Sequence, residues 1–571
     1  MFLSLALAFV SVASAPMPVL KHSDVVFMYH GGRDVYRAYG ATVLAWGGKP
    51  TQAARAEAEG VRWFGSVGMV TEFAAYYERD PATYEQGLCR DVHVEPVKVP
   101  WLTDHQHKGI PYWWCCTNQP RMRDFVRDRV VETIKAGADG LHVDDHLGTS
   151  GGLWLGICFC DRCIEGFRAH LAALPQRERE RLGIADAASY DFRAEARRWL
   201  EAGADRKVTQ HPLWPEFEAY QTRAAAAFMM ELRDLAARTA GKPVPVGANA
   251  GLLWGRHLAD YQALDMFSAE TDHHASSRKP SDDPMLAYRI AEAVGRPYAS
   301  TASGWDWAYI KEHNLHGLVR CWIALSYAAG HRLMAPHRQW CYTEEKGTHW
   351  YDGPTERFAP LYRFVRENAA LFDGYETLAD VRIVMPYRAF MRNPGEWMEK
   401  GRKLSAANLS YRVLLAGDRI VPKRLSPAEL RGSTPIVTCN LDDLDPADAR
   451  ILSGGIRTGR IPTFADVDQA IAALRPIASV ESDGPVRVLA RTRKGSAVVH
   501  LLNYAYDAAK DDVAPLKGLT VTLDLKRLGL DCAKQCVLIR PGHAPHTAPI
   551  VNGTVRVPTL ELWGILHIAA R

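Results

Sequence analysis

The sequence predicts a (β/α)8 barrel followed by two smaller domains, and three observations lead there. Short β-branched runs alternate with helical patterns over the first 350 or so residues, which is how a parallel barrel reads. Polar, chemistry-bearing residues fall at or just past the carboxyl ends of those runs. From about Leu378 the pattern changes twice, first to a small α/β unit and then to closely spaced alternating strands. At 571 residues the chain is too long for one core.

Taken in order, Met1 to Ala15 is a short apolar run ending in Ala13-Ser14-Ala15, the small-x-small pattern of a signal-peptidase site. It is too short to span a bilayer, and no other stretch reads as transmembrane. Export is therefore expected, with a secreted or periplasmic location. The barrel is assigned to residues 20–375. Its strands are expected at Asp24–His30, Thr42–Trp46, Val61–Val67, Asp139–His146, Pro243–Asn249, Asp265–Glu270, Pro297–Ser303 and Arg332–His337. Between them, Arg121–Lys135, Tyr220–Thr239 and Leu286–Val294 have helical spacing.

Residues 378–475 form the α/β unit, flavodoxin-like in its alternation, with strands at Val381–Pro386 and Pro435–Cys439. Helices are expected around Ser405–Ala416 and Pro446–Leu452. Residues 480–571 carry the alternating runs of a β-sandwich. There is no glycine-rich phosphate loop; Gly454-Gly455 is a turn. A formal charge of +4, with no run of Lys or Arg, excludes a nucleic-acid or membrane-surface footprint. The 16 Trp and 22 Tyr offer stacking surfaces for sugar rings, although aromatic residues of this kind are mostly core.

The stretch Asp139 to Phe167 holds the two most informative patterns. In its first half, period-2 alternation sends His142, Asp144 and His146 to one side of a strand and Val143 and Asp145 to the other. Unpaired charges cannot be buried cheaply, so Asp144 and His146 are expected at the strand's open end, beside water or a ligand. A neutral imidazole can take a proton from water near pH 7, and a neighbouring carboxylate can fix its tautomer. Asp145 is read as a structural partner. The second half carries Cys158, Cys160 and Cys163 at C-x-C-x-x-C spacing. With Cys115 or Cys116 they supply four soft ligands, the donor set of a structural zinc. Isolated thiols or a disulfide are the alternative.

These motifs resemble glycoside hydrolase family 42 and its relatives. There a cysteine knot of this spacing, followed by an aromatic (here Phe167), comes after the fourth barrel strand, and a fourth cysteine precedes the preceding helix. That family ends strand four in D-N-E-x-G, with the Glu as acid/base. Here the stretch reads Asp144-Asp145-His146-Leu147-Gly148, which puts His146 where the Glu would stand. The strand-seven Glu nucleophile has no counterpart in Tyr298 to Gly304. The Asp-x-His pair is similar instead to glycoside hydrolase family 156, inverting exo-sialidases. That resemblance implies His146 as general base, Asp144 as its orienting partner and Asp34 as the acid.

Substrate contacts are then expected from His30, Arg33, Asn249, Arg256, Glu270, Trp305, His337 and Arg338, the arginines answering a sialic acid carboxylate. Glu270 with Asp272, His273 and His274 reads as a second acid, a substrate clamp or a loose metal site. The resulting expectation is a secreted, inverting, exo-acting glycosidase that removes a terminal sugar, with sialic acid as the specific choice and no organic cofactor. Two alternatives stand beside it: a β-galactosidase-like or other glycosidase on this barrel, and a catalytically inactive carbohydrate-binding protein. A homo-oligomer is expected only by the middle domain's resemblance to one through which related enzymes associate.

Overall fold

The computed structural model describes residues 20–48, 55–457 and 461–570. The signal-type run Met1–Ala15 lies outside them. Eight parallel strands form one sheet in sequence order: β1 (Val26–Phe27), β2 (Val43–Gly47), β3 (Arg62–Gly68), β4 (Gly140–Asp144), β5 (Val246–Ala248), β6 (Met266–Thr271), β7 (Tyr298–Ala302) and β8 (Arg332–Leu333). The Ala335 amide donates to the Val26 carbonyl at 2.7 Å, which closes the sheet into the expected barrel. Each strand falls within or beside its predicted run. Strands buried on both faces by helices outside and side chains within read as nearly continuous apolar segments.

The helix Pro120–Lys135 shows how the connections are built. Proline opens it, where a missing N–H costs nothing, and Met122, Phe125, Val126, Val130 and Ile134 recur every three or four residues on its buried face. That stripe packs on β3 and on the long helix Trp214–Ala240. Each such side chain contributes about 1.5–3 kcal/mol by leaving water. Between the cysteine knot and β5 the chain makes an excursion with its own core, in which Phe159, Phe167, Phe192 and Phe217 stack together.

Behind the barrel, a four-stranded parallel sheet has Val381–Pro386 and Ile436–Val437 at its centre, flanked by Tyr411–Ala416 and Thr463–Phe464. The expectation of a helix over Ser405–Ala416 fails beyond its first two residues. The helix Pro394–Ala406 stops at Ala407, and Tyr411–Ala416 pairs in parallel register with Val381–Pro386. Tyr-Arg-Val-Leu-Leu-Ala has no polar face, and such a short apolar run does not distinguish a buried strand from a helix. Nine antiparallel strands in sheets of six and three complete the chain. One of them, Glu376–Thr377, comes from the segment just after the barrel and pairs with Val486–Arg493.

Candidate active site

The carboxyl ends of the barrel strands open into a cavity of about 1120 Å³. Three side chains at its base form a continuous polar unit. Asn249, just past β5, points its amide nitrogen at two acids: Asp144 Oδ1 at 3.3 Å, from the end of β4, and Glu270 Oε2 at 3.4 Å, from β6. The Asn249 side-chain oxygen accepts the Glu270 amide at 3.2 Å, so its orientation is fixed and its nitrogen must face the acids. The Asp145 amide also donates to Asp144 Oδ1, at 3.1 Å.

Burial, then the nearby Asp144 charge, raises the Glu270 pKa to about 8. Burial also raises Asp144, against the pull of the Asn249 and Asp145 donors. Two acids sharing one small volume cannot both ionise freely. Asp144 Oδ1 has both the side-chain amide of Asn249 and a backbone N–H, which favour the charge there and leave the proton on Glu270 near neutrality. Tyr29 from the loop after β1 faces the same two acids, and burial and their charges hold its phenol well above the usual range, so it stays protonated.

Below the acids, the barrel interior is closed by Trp46, stacked on His142 at 4.4 Å, with His142 Nδ1 2.8 Å from Ser268 Oγ. His142 is therefore a packed interior residue beneath the site. Asp145 departs from the alternation. Its φ of 51° puts it in the left-handed region, one that Asp tolerates better than most residues, so it lines the cavity beside Asp144 instead of facing away. Burial and the charges of Asp144 and Glu270 hold its carboxyl well above the carboxylate range.

His146 lines the cavity too, but its hydrogen bonds go to residues other than Asp144. Its Nδ1 is 2.7 Å from Asp260 Oδ2 and its Nε2 is 3.2 Å from His257 Nδ1. The ring is 1% exposed. The expected Asp144–His146 pairing is thus replaced by one to Asp260, because β4 ends at Asp144 and the left-handed turn at Asp145 swings His146 toward the loop after β5.

The other expected contacts divide. Arg256 and Trp305 line the cavity, although Arg256 is already paired with Glu218. Asp34 is exposed in the first turn of the helix Arg33–Tyr39 and Arg33 pairs with Glu59 at 3.0 Å; neither lines the cavity. His30 is held by Tyr36, with Nδ1 2.9 Å from the hydroxyl. His337 is turned out of the wall, and Arg338 pairs with Asp352 at 3.0 Å over the Trp350 ring. The common reason is that β1 and β8 are each two residues long, so the chain leaves the rim sooner than the runs of sequence suggest. The acidic run after β6 also splits. Asp272 joins the cavity wall, whereas His273 packs on Trp322 and His274 turns to Asp283.

Sequence reading missed Tyr29, His257, Asp260, the cavity-facing place of Asp145, and two of the three exposed tryptophans that wall the cavity. Trp154, Trp254 and Trp305 are 57%, 55% and 53% exposed, and all three line this cavity. No other tryptophan among the described residues is as exposed as these. Each follows the carboxyl end of a strand close to a glycine, Trp154 in the 3-10 turn Gly148–Leu155, Trp254 just before Gly255 and Trp305 in the first turn of the helix Gly304–His313. The second domain also reaches the cavity, through Met391 and Pro394. A Cβ on Gly255 would lie 2.3 Å from Met391 Sδ, so only glycine lets the loop after β5 sit this close.

The cysteines form a separate, closed site. All eleven in the chain are free thiols. Cys116, Cys158, Cys160 and Cys163 are buried with their sulfurs within 4.8 Å of one another, the metal-competent grouping among the described residues. Cys116 Sγ lies 3.7 Å from Cys160 Sγ and 3.6 Å from Cys163 Sγ. A tetrahedron with metal–sulfur bonds of about 2.3 Å has edges of about 3.8 Å, so the four sulfurs fit zinc. Cys115 is excluded as a ligand: its Sγ turns to the Trp113 carbonyl. The Arg90 amide, the Asn118 side-chain amide and the Thr149 hydroxyl donate to sulfurs of the cluster, the outer contacts that thiolate ligands need.

No family model matches the chain. It is 22% identical over 606 aligned positions to an alpha-agarase of Alteromonas agarilytica and 23% identical over 609 to one of Thalassotalea agarivorans. Both alignments take in 96% of this chain but only 41% and 40% of those proteins, so it spans about two fifths of their length. Among solved structures, it resembles a β-galactosidase from Bacillus circulans sp. alkalophilus with a TM-score of 0.59 and 12% identity, covering 96% of this chain and 100% of that one. A β-galactosidase from Rahnella sp. R3 gives 0.55 and 12%, with 97% and 100% coverage. A catalytic mutant of a family 42 β-galactosidase from G. stearothermophilus gives 0.54 and 9%, with 98% and 100%. The order of a parallel barrel, a parallel α/β sheet and antiparallel sheets is a fold like that of the family 42 β-galactosidase.

Proposed function

We propose that the protein is a glycoside hydrolase acting on a neutral, galactose-built polysaccharide of the agar type, with Asp144 and Glu270 as its two catalytic carboxyls. The observation that carries this reading is the amide of Asn249 held between those acids at the base of a tryptophan-walled cavity. Contacts of 3.3 and 3.4 Å to one nitrogen keep the two bridged oxygens within about 6.7 Å of each other. That bound lies at the very bottom of the roughly 6.5–9.5 Å that inverting enzymes need for an intervening water, and supports reading the pair as a retaining one.

Glu270, protonated near neutrality, gives its proton to the departing glycosidic oxygen as that bond breaks. Asp144 attacks the anomeric carbon and forms a glycosyl ester. Glu270, now ionised, takes a proton from water, whose oxygen attacks the same carbon and releases Asp144. His146, buried with both ring nitrogens engaged, serves this reading as a supporting residue and not as the base.

The charge of the cavity argues against sialic acid. Asp144, Asp145, Glu270, Asp272 and Glu344 line it, and its one arginine, Arg256, is paired. An anionic sugar would meet repulsion where it needs a guanidinium. Stacking platforms and carboxylates suit neutral sugars, whose hydroxyls donate to acids and whose apolar faces cover tryptophan. The alpha-agarase likeness supports an agar-type chain over a single terminal galactose, and the cavity size agrees.

Incubation with agarose oligosaccharides, aryl galactosides and an aryl sialoside tests the assignment, with product anomers followed by proton NMR. Retained configuration from agarose fragments is expected. Turnover of the sialoside alone would overturn it, and sugar binding without turnover of any substrate would favour the inactive binding protein. We further propose zinc at the four-cysteine site, where it would hold the knot to the barrel, and export through the Met1–Ala15 segment. Metal analysis and N-terminal sequencing of secreted protein test these.

A further inference from the structure

Behind the carboxyl pair lies a second polar assembly. Asp260 is buried with its side chain fully covered, and Oδ1 has no partner. Its other oxygen has one, His146 Nδ1 at 2.7 Å. His146 Nε2 then faces His257 Nδ1 at 3.2 Å. His257 packs edge-on against Trp254, forms part of the cavity wall, and has the Asn249 backbone carbonyl as a nearby acceptor for a ring N–H. The row therefore runs from a sealed carboxylate to the sugar-facing surface.

With Asp260 as a carboxylate, counting protons along it gives two arrangements. Either His146 carries one proton, on Nδ1, and accepts from His257 Nδ1–H, or it carries two and donates to a bare His257 Nδ1. The first leaves a net negative charge on a covered carboxylate with a single hydrogen bond, which costs several kcal/mol. The second makes Asp260 and His146 a compensated ion pair. Burial and the adjacent His146 hold the His257 pKa well below the usual range, so the cation does not reside there. The proton left to His257 then sits on Nε2.

We propose that His257 is a substrate-positioning residue whose Nε2–H donates to a sugar oxygen in the cleft, its tautomer fixed by His146 and Asp260. This rests on the cavity being the sugar site, but not on Asp144 and Glu270 being its catalytic acids.

Neutron diffraction of the deuterated wild-type protein and of Asp260→Asn tests the tautomer without any need for turnover. Deuterons on both His146 nitrogens and on His257 Nε2 are expected in the wild type, and a move to His257 Nδ1 in Asp260→Asn. A deuteron on wild-type His257 Nδ1, or no change in the variant, overturns the proposal. On agarose oligosaccharides, His257→Phe should raise KM about tenfold with a smaller fall in kcat, the loss of one neutral donor. His257→Gln, which keeps an N–H near Nε2, should recover most of it, whereas His257→Asn should not. Equal KM for all three and the wild type would remove His257 from the binding surface. If agarose is not turned over, calorimetric binding of the same oligosaccharides gives the same comparison, so failure of the proposed activity is distinguishable from failure of this one.

Discussion

The two polar sites that follow β4 differ in how they are assembled. Three of the four sulfurs of the cysteine cluster come from six consecutive residues, and the fourth, Cys116, sits just before a helix that packs on the barrel. The carboxyl site takes Asp144, Asn249 and Glu270 from three adjacent strands, with over 100 residues between the first two. One site is closed and satisfied from within. The other is open, carries acids held above their ordinary range, and is completed by whatever enters. A site that stabilises the fold saturates its ligands; a site that reacts leaves its charges incompletely answered.

Substitutions should separate the two sites cleanly. The largest effect is expected from Asp144→Asn and Glu270→Gln, each lowering kcat/KM on agarose oligosaccharides by about a thousandfold or more while thermal unfolding stays within a few degrees. A comparable loss of melting temperature would put these acids in the structural class instead. Cys160→Ala should do the opposite. It is expected to release metal and cost several kcal/mol of stability, read as a lower Tm and a zinc content near zero, with kcat of the protein that remains folded little changed. Cys115→Ser should keep full metal content.

Next in size is the pH dependence. Glu270 must be protonated to act as acid, so kcat/KM should fall as pH rises through about 8. The stability sign agrees: its folded-state pKa lies above the unfolded value of 4.5, so its contribution is fully present below that value and is lost as pH rises through about 8. Glu270→Gln should flatten that part of the stability curve, measured by denaturant unfolding at pH 6 and pH 9. The smallest effect sharpens the comparison at the cavity mouth. Trp254→Ala and Trp305→Ala should each weaken binding of long oligosaccharides about tenfold and of aryl galactosides hardly at all.

Legibility followed the same division. The cysteine knot could be read because its spacing is local, and the barrel because each strand is a self-contained apolar run. The terminal strands followed from alternation, as in Leu516–Leu523 and Thr554–Leu560. Asp144, Asn249 and Glu270 were each recognisable as rim residues, but their contact was not, since register across β4, β5 and β6 is set by packing and not by any one segment. The expected Asp144–His146 pairing turned on one backbone angle. Nothing in Asp144-Asp145-His146 announces that Asp145 turns left-handed, and without that turn Asp260 has no route to the imidazole. Asp34 and Arg338 do not line the cavity, because strand length at β1 and β8 sets which side chains reach the rim.

The close seating of Gly255 under Met391 has a practical consequence for anyone dissecting this molecule. The segment that carries Trp254, Arg256 and His257 rests on a helix of the neighbouring domain, and Pro394 forms part of the same wall. A truncation ending near residue 375 would keep all eight barrel strands yet remove the floor under one bank of the binding surface. Such a fragment should grip sugar chains poorly even with both acids in place, and grafting this barrel onto another carrier would require bringing that helix along.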